Sequence, residues 1–272
     1  MYEVLVPVDT DENRALHQAK HVARLSRTAT EVDVTVLYVT PPDEFKKADT
    51  VEFSEVDAAV EAAEYLEEQN IPVNRVIDNG TVSSRIMHMT EERGIDEIVM
   101  GGRKRSGVAK MLLGSTVQDV ALSAEVPVTI TGDGMVFGDS IENLLVPVDT
   151  DTDRALKQAE YATKLASNPE EIDITVLYVF PHQDYKGAPE HEFADVDAAV
   201  EAAVHLEAEG FAVERVATGG EVAETILEHA DDADADSIVM GGRKRSGVQK
   251  VLLGSTTQDI FLSADRPVTI TG

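Results

Sequence analysis

The 272-residue chain carries 51 acidic and 23 basic side chains, and its formal charge of −28 argues against a general nucleic-acid binder and against binding to anionic membranes. It has no cysteine, which excludes disulfides and thiolate chemistry and fits a reducing, cytoplasmic compartment. Hydrophobic residues make up 43% but aromatic residues only 5%, so we expect cores built mainly from Val, Leu, Ile and Ala.

The acids are spread along the whole chain, lysines are few and the apolar side chains are mostly small. Self-repulsion of this kind destabilises a compact state unless salt screens it, and the Debye length falls to about 3 Å near 1 M salt. We therefore expect a salt-loving cytoplasm; the alternative is an acidic mesophilic protein. The segment "MYEVLVPVDT" predicts no signal peptide, and no apolar run approaches the roughly 18 residues of a membrane span.

Strands and helices are predicted to alternate along residues 1–132. Apolar segments such as "YEVLVPV" predict buried strands, and Ala15, Ala19 and Val22 form one apolar stripe of a helix. The predicted strands cover residues 2–8, 31–39, 73–77, 96–101 and 126–131, and the predicted helices cover residues 9–26, 56–69, 82–93 and 115–123. Because such alternation produces a parallel sheet covered on both faces, we expect a doubly wound five-stranded α/β domain.

The chain repeats itself at an offset of 140 residues. The segments "VPVDTD", "TVLYV", "VDAAVEAA" and "PVTITG" begin at residues 6, 35, 56 and 127, and again at 146, 175, 196 and 267. A period of this length corresponds to a whole domain. We predict two tandem domains, residues 1–132 and 141–272, joined by a short connector of residues 133–140.

A basic, glycine-flanked segment follows the fourth predicted strand. The segment "MGGRKRSGVAKMLLGSTVQD" at residues 100–119 is repeated at residues 240–259. The two copies differ only at positions 109, 111 and 117 and their counterparts in the second copy. Glycine lets a ligand approach the backbone, a helix N-terminus favours an anion, basic side chains neutralise a polyphosphate, and a serine hydroxyl can ligate Mg²⁺. The predicted phosphate-binding residues are Gly101, Gly102, Arg103, Lys104, Arg105, Lys110, Gly114 and Ser115, with Gly241, Gly242, Arg243, Lys244, Arg245, Lys250, Gly254 and Ser255. The alternative is a glycine turn and a serine N-cap beside a solvated basic face.

A second candidate segment is the end of the first strand. Asp9 follows Pro7 and Val8, and Asp149 follows Pro147 and Val148. An unpaired carboxylate there could accept from an adenine amino group or a ribose hydroxyl; the alternative is a plain helix N-cap. Val39 and Val179 end the second strand, where each could line an apolar slot for a base or simply pack in the core.

Each half resembles a universal stress protein domain, and the resemblance covers almost the full chain as a tandem pair. That family carries an aspartate at the first strand end, then Gly, two residues, Gly, nine residues, and Gly-Ser or Gly-Thr. "VPVDTD", Gly101 and Gly114 with Ser115 match this pattern, as do their counterparts in the second half. Lys104 and Lys244 replace the middle glycine. A lysine there could block the ligand's approach, or its ammonium could contact a phosphate.

The resemblance implies strand order 3-2-1-4-5 in each half, the adenine nucleotide alpha hydrolase-like fold, with the ligand between strands one and four. It implies ATP as the ligand, with Mg²⁺ as a further possibility. The residues nominated by resemblance are Asp9, Val39, Gly101, Gly114, Ser115 and Thr116, with Asp149, Val179, Gly241, Gly254, Ser255 and Thr256.

We therefore expect an ATP-binding regulatory protein of the stress response. The alternatives are a nucleotide-free interaction scaffold and, because nothing marks a catalytic base, at most a slow ATPase. His17 and His21 stand four residues apart on a helix, but the second half has no equivalent pair, which argues against a metal site. "VPVTIT" is expected on a sheet edge, where the two copies could pair as an intrachain pseudo-dimer. Two chains could also form a homodimer.

Overall fold

The computed structural model describes residues 1–29, 31–42, 51–104, 111–112, 114–132, 135, 137–181, 192–242 and 254–272. The first half, residues 1–132, contains β1 (Tyr2–Val8), α1 (Glu12–Thr28), β2 (Val32–Thr40), α2 (Asp57–Glu68), β3 (Val73–Asn79), α3 (Val82–Arg93), β4 (Glu97–Lys104), β5 (Met111–Leu112), α4 (Ser115–Ser123) and β6 (Val128–Gly132). The second half, residues 141–272, contains β7 (Asn143–Val148), α5 (Thr152–Lys164), β8 (Asp173–Pro181), α6 (Asp197–Ala208), β9 (Ala212–Gly220), α7 (Val222–Asp232), β10 (Ser237–Gly241), α8 (Ser255–Ser263) and β11 (Val268–Thr271).

The predicted succession of strands and helices is confirmed, and α3 and α4 have the predicted bounds. Two boundaries differ from the prediction by three residues, and others differ by one or two. Helix α1 begins at Glu12 instead of residue 9, because the Asp11 side chain caps it by accepting from the amide of Arg14 at 3.1 Å. Strand β4 runs on to Lys104, because its last two residues pair antiparallel with β5.

The two halves share one continuous sheet, with strand order β3-β2-β1-β4-β6-β11-β10-β7-β8-β9. Pairing along this order is parallel within each half, which confirms the predicted order 3-2-1-4-5. Strands β6 and β11 pair antiparallel, with Thr129 opposite Thr269. We call this pairing of β6 with β11 the seam. It confirms the expected intrachain pseudo-dimer.

Helices cover both faces of the sheet. On one face, α1, α2, α5 and α6 contribute mostly alanine, such as Ala59 and Ala199, whose small side chains let the helices approach the strands closely. On the other face, α3, α4, α7 and α8 contribute larger side chains, such as Ile86 and Phe261. Within the described ranges, no helix combines the length and apolarity that crossing a bilayer requires.

A buried glutamine holds the point where β1 and β4 separate. These strands pair at Val4 with Glu97 and Leu5 with Ile98, before the chain leaves each strand on an opposite face of the sheet. Nε2 of Gln18, on α1, donates to the carbonyls of Pro7 and Val99, both at 2.8 Å. Gln158 repeats the arrangement in the second half, bonding Pro147 at 2.8 Å and Val239 at 2.7 Å. The strand backbones at the bottom of each crevice are therefore held at a fixed separation.

Replacing Gln18 by leucine removes both of these buried hydrogen bonds. We expect the free energy of unfolding to fall by about 1–3 kcal/mol, because two carbonyls lose a donor where water does not replace it. Denaturant titration measures this change. Gln69→Leu is the matched control, since the Gln69 side chain accepts one hydrogen bond, from the exposed Arg27, within the described part of the chain. A change within about 0.5 kcal/mol is expected there. Equal effects of the two substitutions would contradict the role assigned to Gln18.

Candidate functional site

Each half contains a cavity at the carboxyl ends of its central strands. The first has a volume of about 360 Å³ and lies between the ends of β1, β2 and β4 and the start of α4. The second, of about 250 Å³, occupies the equivalent place in the second half. Both stand where the strand order reverses, which is where open α/β sheets bind ligands.

The cavities bring together most of the residues that the sequence singled out. Those lining the first cavity are Pro7, Val8, Asp9, Val39, Gly101, Gly114, Ser115 and Thr116. Those lining the second are Pro147, Val148, Asp149, Val179, Gly241, Gly254, Ser255 and Thr256. Segments far apart in the chain therefore meet in one crevice, and they do so twice.

The remaining predicted residues lie elsewhere or outside the described residues. Gly102 is buried in β4, opposite Gly132 of β6. Gly242 donates its amide to the carbonyl of Thr271 at 2.7 Å, and a Cβ there would lie 2.7 Å from the same oxygen. The backbones of Arg103 and Lys104 belong to β4, but their side chains fall outside the described part of the chain. The same holds for the whole of Arg105, Lys110, Arg243, Lys244, Arg245 and Lys250.

The carboxylate of Asp9 is not unpaired, and it is not the helix cap. Arg14, in the first turn of α1, donates to both of its oxygens, through Nη2 at 2.8 and 3.0 Å and through Nε at 3.3 Å. Asp11 is the cap, and its carboxylate lies 3.2 Å from Nη2 of the same guanidinium. A two-point contact of this kind fixes the orientation of the carboxylate.

The second half repeats the arrangement. Arg154 contacts Asp149 at 2.7 Å and Asp151 at 3.2 Å. Each cavity therefore contains a guanidinium held by two carboxylates. Arg14 and Arg154 were not among the predicted site residues, although both follow the strand-end aspartate by five residues and recur at the 140-residue offset.

Because Gly101 has no side chain, the Arg14 side chain can pack directly against its backbone. A Cβ at Gly101 would lie 2.5 Å from Cγ of Arg14, and a Cβ at Gly241 would lie 2.9 Å from Cδ of Arg154. The stem of each arginine crosses the strand end in the space that a larger residue would fill. Only 11% of the Arg14 side chain is exposed, so the guanidinium is held at the wall of the cavity.

The N-terminus of α4 forms another wall. Gly114 is the N-cap and has no side chain with which to satisfy the amides of the first turn. Ser115 is exposed and Thr116 is half-buried. In the second half, Gly254 caps α8 in the same way, followed by Ser255 and Thr256. Free amides at a helix N-terminus favour an anion, and hydroxyls beside them add further donors.

The opposite side of the cavity is apolar. Val39, Ile86 and Met100 line it and are almost completely buried. The two halves differ at one lining position on α4 and α8, where the first has Val117 and the second Thr257. Each crevice thus has an apolar wall, an acid–arginine pair and a helix N-terminus, a combination suited to a ligand with both a flat apolar part and an anionic part.

No metal centre is found among the described residues, where no three His, Cys, Asp or Glu side chains come together. His17 and His21 do not form a ligand pair. Nδ1 of His17 is 2.6 Å from the carbonyl of Asn13 on the surface, whereas His21 lies on the buried face of α1.

Comparison with known proteins agrees with the geometry. The model of the universal stress protein family matches residues 1–132 and 140–272. A universal stress protein of Methanocaldococcus jannaschii is 32% identical over 65 residues, which cover 24% of this chain and 40% of that protein. One from Mycolicibacterium smegmatis is 36% identical over 86 residues, which cover 31% of this chain and 62% of that protein. The matched segments thus span less than two thirds of these relatives.

The overall fold resembles solved structures along its full length. A universal stress protein from Archaeoglobus fulgidus superposes with a TM-score of 0.72 at 23% identity, covering 99% of this chain and 98% of that one. A functionally unknown protein from Pseudomonas aeruginosa superposes with a TM-score of 0.65 at 17% identity, covering 99% and 92%. These likenesses agree on the fold of both halves.

Adding a single methyl group tests how Gly101 and Arg14 pack. We expect Gly101→Ala to lower the free energy of unfolding by about 1–3 kcal/mol, because the new Cβ forces the Arg14 stem aside. Gly114→Ala is the control, since no described atom lies within 4 Å of its Cβ position. There we expect at most about 1 kcal/mol, the cost of alanine at an N-cap. Chemical unfolding of both variants gives the comparison, and a larger loss at Gly114 would refute the packing.

Proposed function

The chain belongs to the universal stress protein family, and from that premise we propose that each half binds ATP and that nucleotide occupancy regulates a stress response. One observation carries this proposal: in both halves, an aspartate at a strand end, an apolar wall and an uncapped helix N-terminus line the same crevice. The adenine occupies the apolar side against Val39 or Val179. The phosphates lie at the first turn of α4 or α8, where amides and hydroxyls donate to them.

The acid–arginine pair stands between these two parts of the ligand. At the cavity wall, the guanidinium of Arg14 offsets one of the two negative charges of Asp9 and Asp11, and 41% of the Asp9 side chain is exposed. Without Arg14, two carboxylates would face an anionic ligand in a chain that already carries a charge of −28. The arginine offsets part of this repulsion, and the exposed part of the Asp9 carboxylate accepts from the ribose or the adenine amino group.

Mg²⁺ accompanies the triphosphate, with the Ser115 and Ser255 hydroxyls beside it. The protein works in a salt-rich cytoplasm, as a regulator with at most slow ATP hydrolysis, and without contact to nucleic acid or a membrane. Its acidic composition supports this part, because a surface of that charge attracts neither nucleic acid nor anionic lipid. Two such chains form a homodimer.

Filling the crevice should abolish binding without harming the fold. The double variant Gly114→Val with Gly254→Val places a larger side chain at the rim of each cavity. The fold has room for these side chains: no described atom lies within 4 Å of a Cβ at Gly114, and at Gly254 the nearest is Thr257 Oγ1 at 3.9 Å. We expect ATP affinity, measured by calorimetry in high salt with Mg²⁺, to fall at least about 10-fold, which is about 1.4 kcal/mol. Ala208→Val, on the exposed end of α6, is the control and should bind normally.

Two outcomes of this experiment would count against the proposal. If the wild-type chain binds no ATP at any salt or Mg²⁺ concentration, the nucleotide-free scaffold replaces it. If the valine variant binds as well as the wild type, the ligand lies elsewhere.

Removing the arginines should affect charged ligands most. For Arg14→Gln with Arg154→Gln, we expect ATP to bind about 10-fold more weakly or worse, and adenosine to change by no more than about 3-fold, because only ATP needs the carboxylates offset. Arg75→Gln with Arg215→Gln is the matched control. Those arginines make equally short contacts to Glu67 and Glu207, but on the surface. Equal losses for ATP and adenosine would show that the arginines act only on the structure.

A further inference from the structure

Among the described residues, one acidic side chain is fully buried beside the seam. Glu97, the first residue of β4, has no exposed surface. Its Oε1 accepts from Tyr161 at 3.1 Å and from Thr129 in a short hydrogen bond, and its Oε2 accepts from Tyr2 at 3.1 Å. Tyr161 belongs to the second half, so this carboxyl group joins the two halves.

The hydroxyl groups continue across the seam. Thr129 and Thr269 face each other on β6 and β11, with 2.7 Å between their Oγ1 atoms. Because Thr129 gives its proton to Glu97, Thr269 donates to Thr129. The carboxyl group therefore ends a chain of hydrogen bonds that begins on the last strand of the second half.

No cation compensates this carboxyl group within the described part of the chain. Nε2 of His21 lies 3.9 Å from Oε1, but burial, and then the charge of Arg24, lower the pKa of His21 to about 3, so its ring is neutral at pH 7. Neither ring nitrogen of His21 has a hydrogen-bond partner among the described residues. The guanidinium of Arg24 is engaged by Asp236 and by the carbonyl of Ser140.

Burial determines how Glu97 titrates. It raises the pKa of the carboxyl group to about 7, and Asp96 adds to the rise, while the hydroxyls of Thr129, Tyr2 and Tyr161 oppose it. Burial also raises the pKa of Tyr2 and of Tyr161 well above 10, so both keep their protons. The titratable groups around Glu97 are thus Tyr2 on β1, His21 and Arg24 on α1, Tyr161 on α5 and the neighbouring Asp96.

The site is not repeated in the second half. At the 140-residue offset, Ser237 takes the place of Glu97, and its hydroxyl donates to the carbonyl of Pro267 at 3.1 Å. Tyr161 takes the place of His21, and Glu142 that of Tyr2. The seam is therefore symmetric in its backbone but carries this acid on one side, which predicts a titration step of one proton.

We propose that Glu97 is a proton-binding group that controls the pairing of the two halves: the protonated carboxyl group favours a closed seam, and loss of the proton weakens it. A protonated carboxyl group needs an acceptor, and Nε2 of His21 is within reach after a small shift. The ionised group instead leaves a charge in a fully buried site that no described cation compensates, which is costly. Glu97 and its hydrogen-bond partners lie outside both cavities, so this proton-linked change does not depend on nucleotide binding.

The pH dependence follows from the sign of the change. An acid whose pKa is higher in the fold than in the unfolded chain stabilises the fold at low pH and loses that contribution as the pH rises. For Glu97 the loss runs from about pH 4.5 to about pH 7 and is complete above that. His21 acts in the opposite direction between about pH 3 and pH 6.5, so a comparison with a Glu97 variant is needed to separate the two.

The test compares unfolding of the wild type and Glu97→Gln between pH 4 and pH 8. We expect the ratio of their unfolding equilibrium constants to rise on the order of 100-fold with increasing pH, with the slope of one proton. Amide exchange in β6 and β11, expressed as protection relative to the unfolded chain, should fall over the same interval in the wild type and stay level in the variant. Glu67→Gln, a surface change of the same chemistry, should follow the wild type in both measurements. A ratio independent of pH would overturn the proposal.

A second measurement serves if Glu97→Gln fails to fold. Infrared spectra of the folded wild type should show a protonated carboxyl band that persists above about pH 6, where ordinary carboxyl groups are ionised. It should disappear with a midpoint near pH 7, at the upper end of the interval over which the seam loses protection. Absence of that band above about pH 6 would show that Glu97 is ionised throughout and would refute the proton-linked seam.

Discussion

The separation of β1 from β4 is the constraint on which the rest of the molecule depends. These neighbouring parallel strands pair over only Val4–Glu97 and Leu5–Ile98. Beyond that point their chains leave toward opposite faces, which opens the crevice at the strand ends. Gln18 holds the two backbones at this separation, and the Arg14 stem then crosses Gly101 into the opening. In the second half, Gln158, Arg154 and Gly241 make the equivalent contacts.

Most of the fold could be predicted from the sequence, because its signals are local and occur twice. Alternating apolar strands and helices indicate the layers, and the repeat shows that there are two halves. The two largest boundary differences come from individual contacts. Asp11, not Asp9, caps α1, and β5 prolongs β4 beyond residue 101. The seam was predicted from the apolar, β-branched last strands, which need a partner.

The site was predicted less completely than the fold. Glycine, serine and aspartate at strand ends were recognised by type, and the structure brings most of them together. Arg14 was missed because its pairing with Asp9 depends on how the first turn of α1 is placed by its cap. Glu97 was missed because the sequence places an ordinary acid at the start of a strand. In the folded chain its partners come from distant segments and include Tyr161 of the other half. Contacts of this kind are long-range, and no local pattern shows them.

The central claim is that each strand-end crevice receives a nucleotide, with its phosphates at the helix N-terminus. Diffraction from crystals grown with ATP and Mg²⁺ in high salt tests it most directly. We predict electron density for phosphate groups within hydrogen-bond distance of the first-turn amides that follow Gly114 and Gly254, with the base against Val39 and Val179. Empty crevices in both halves at saturating ATP, with Arg14 and Arg154 still ordered against Asp9 and Asp149, would contradict it.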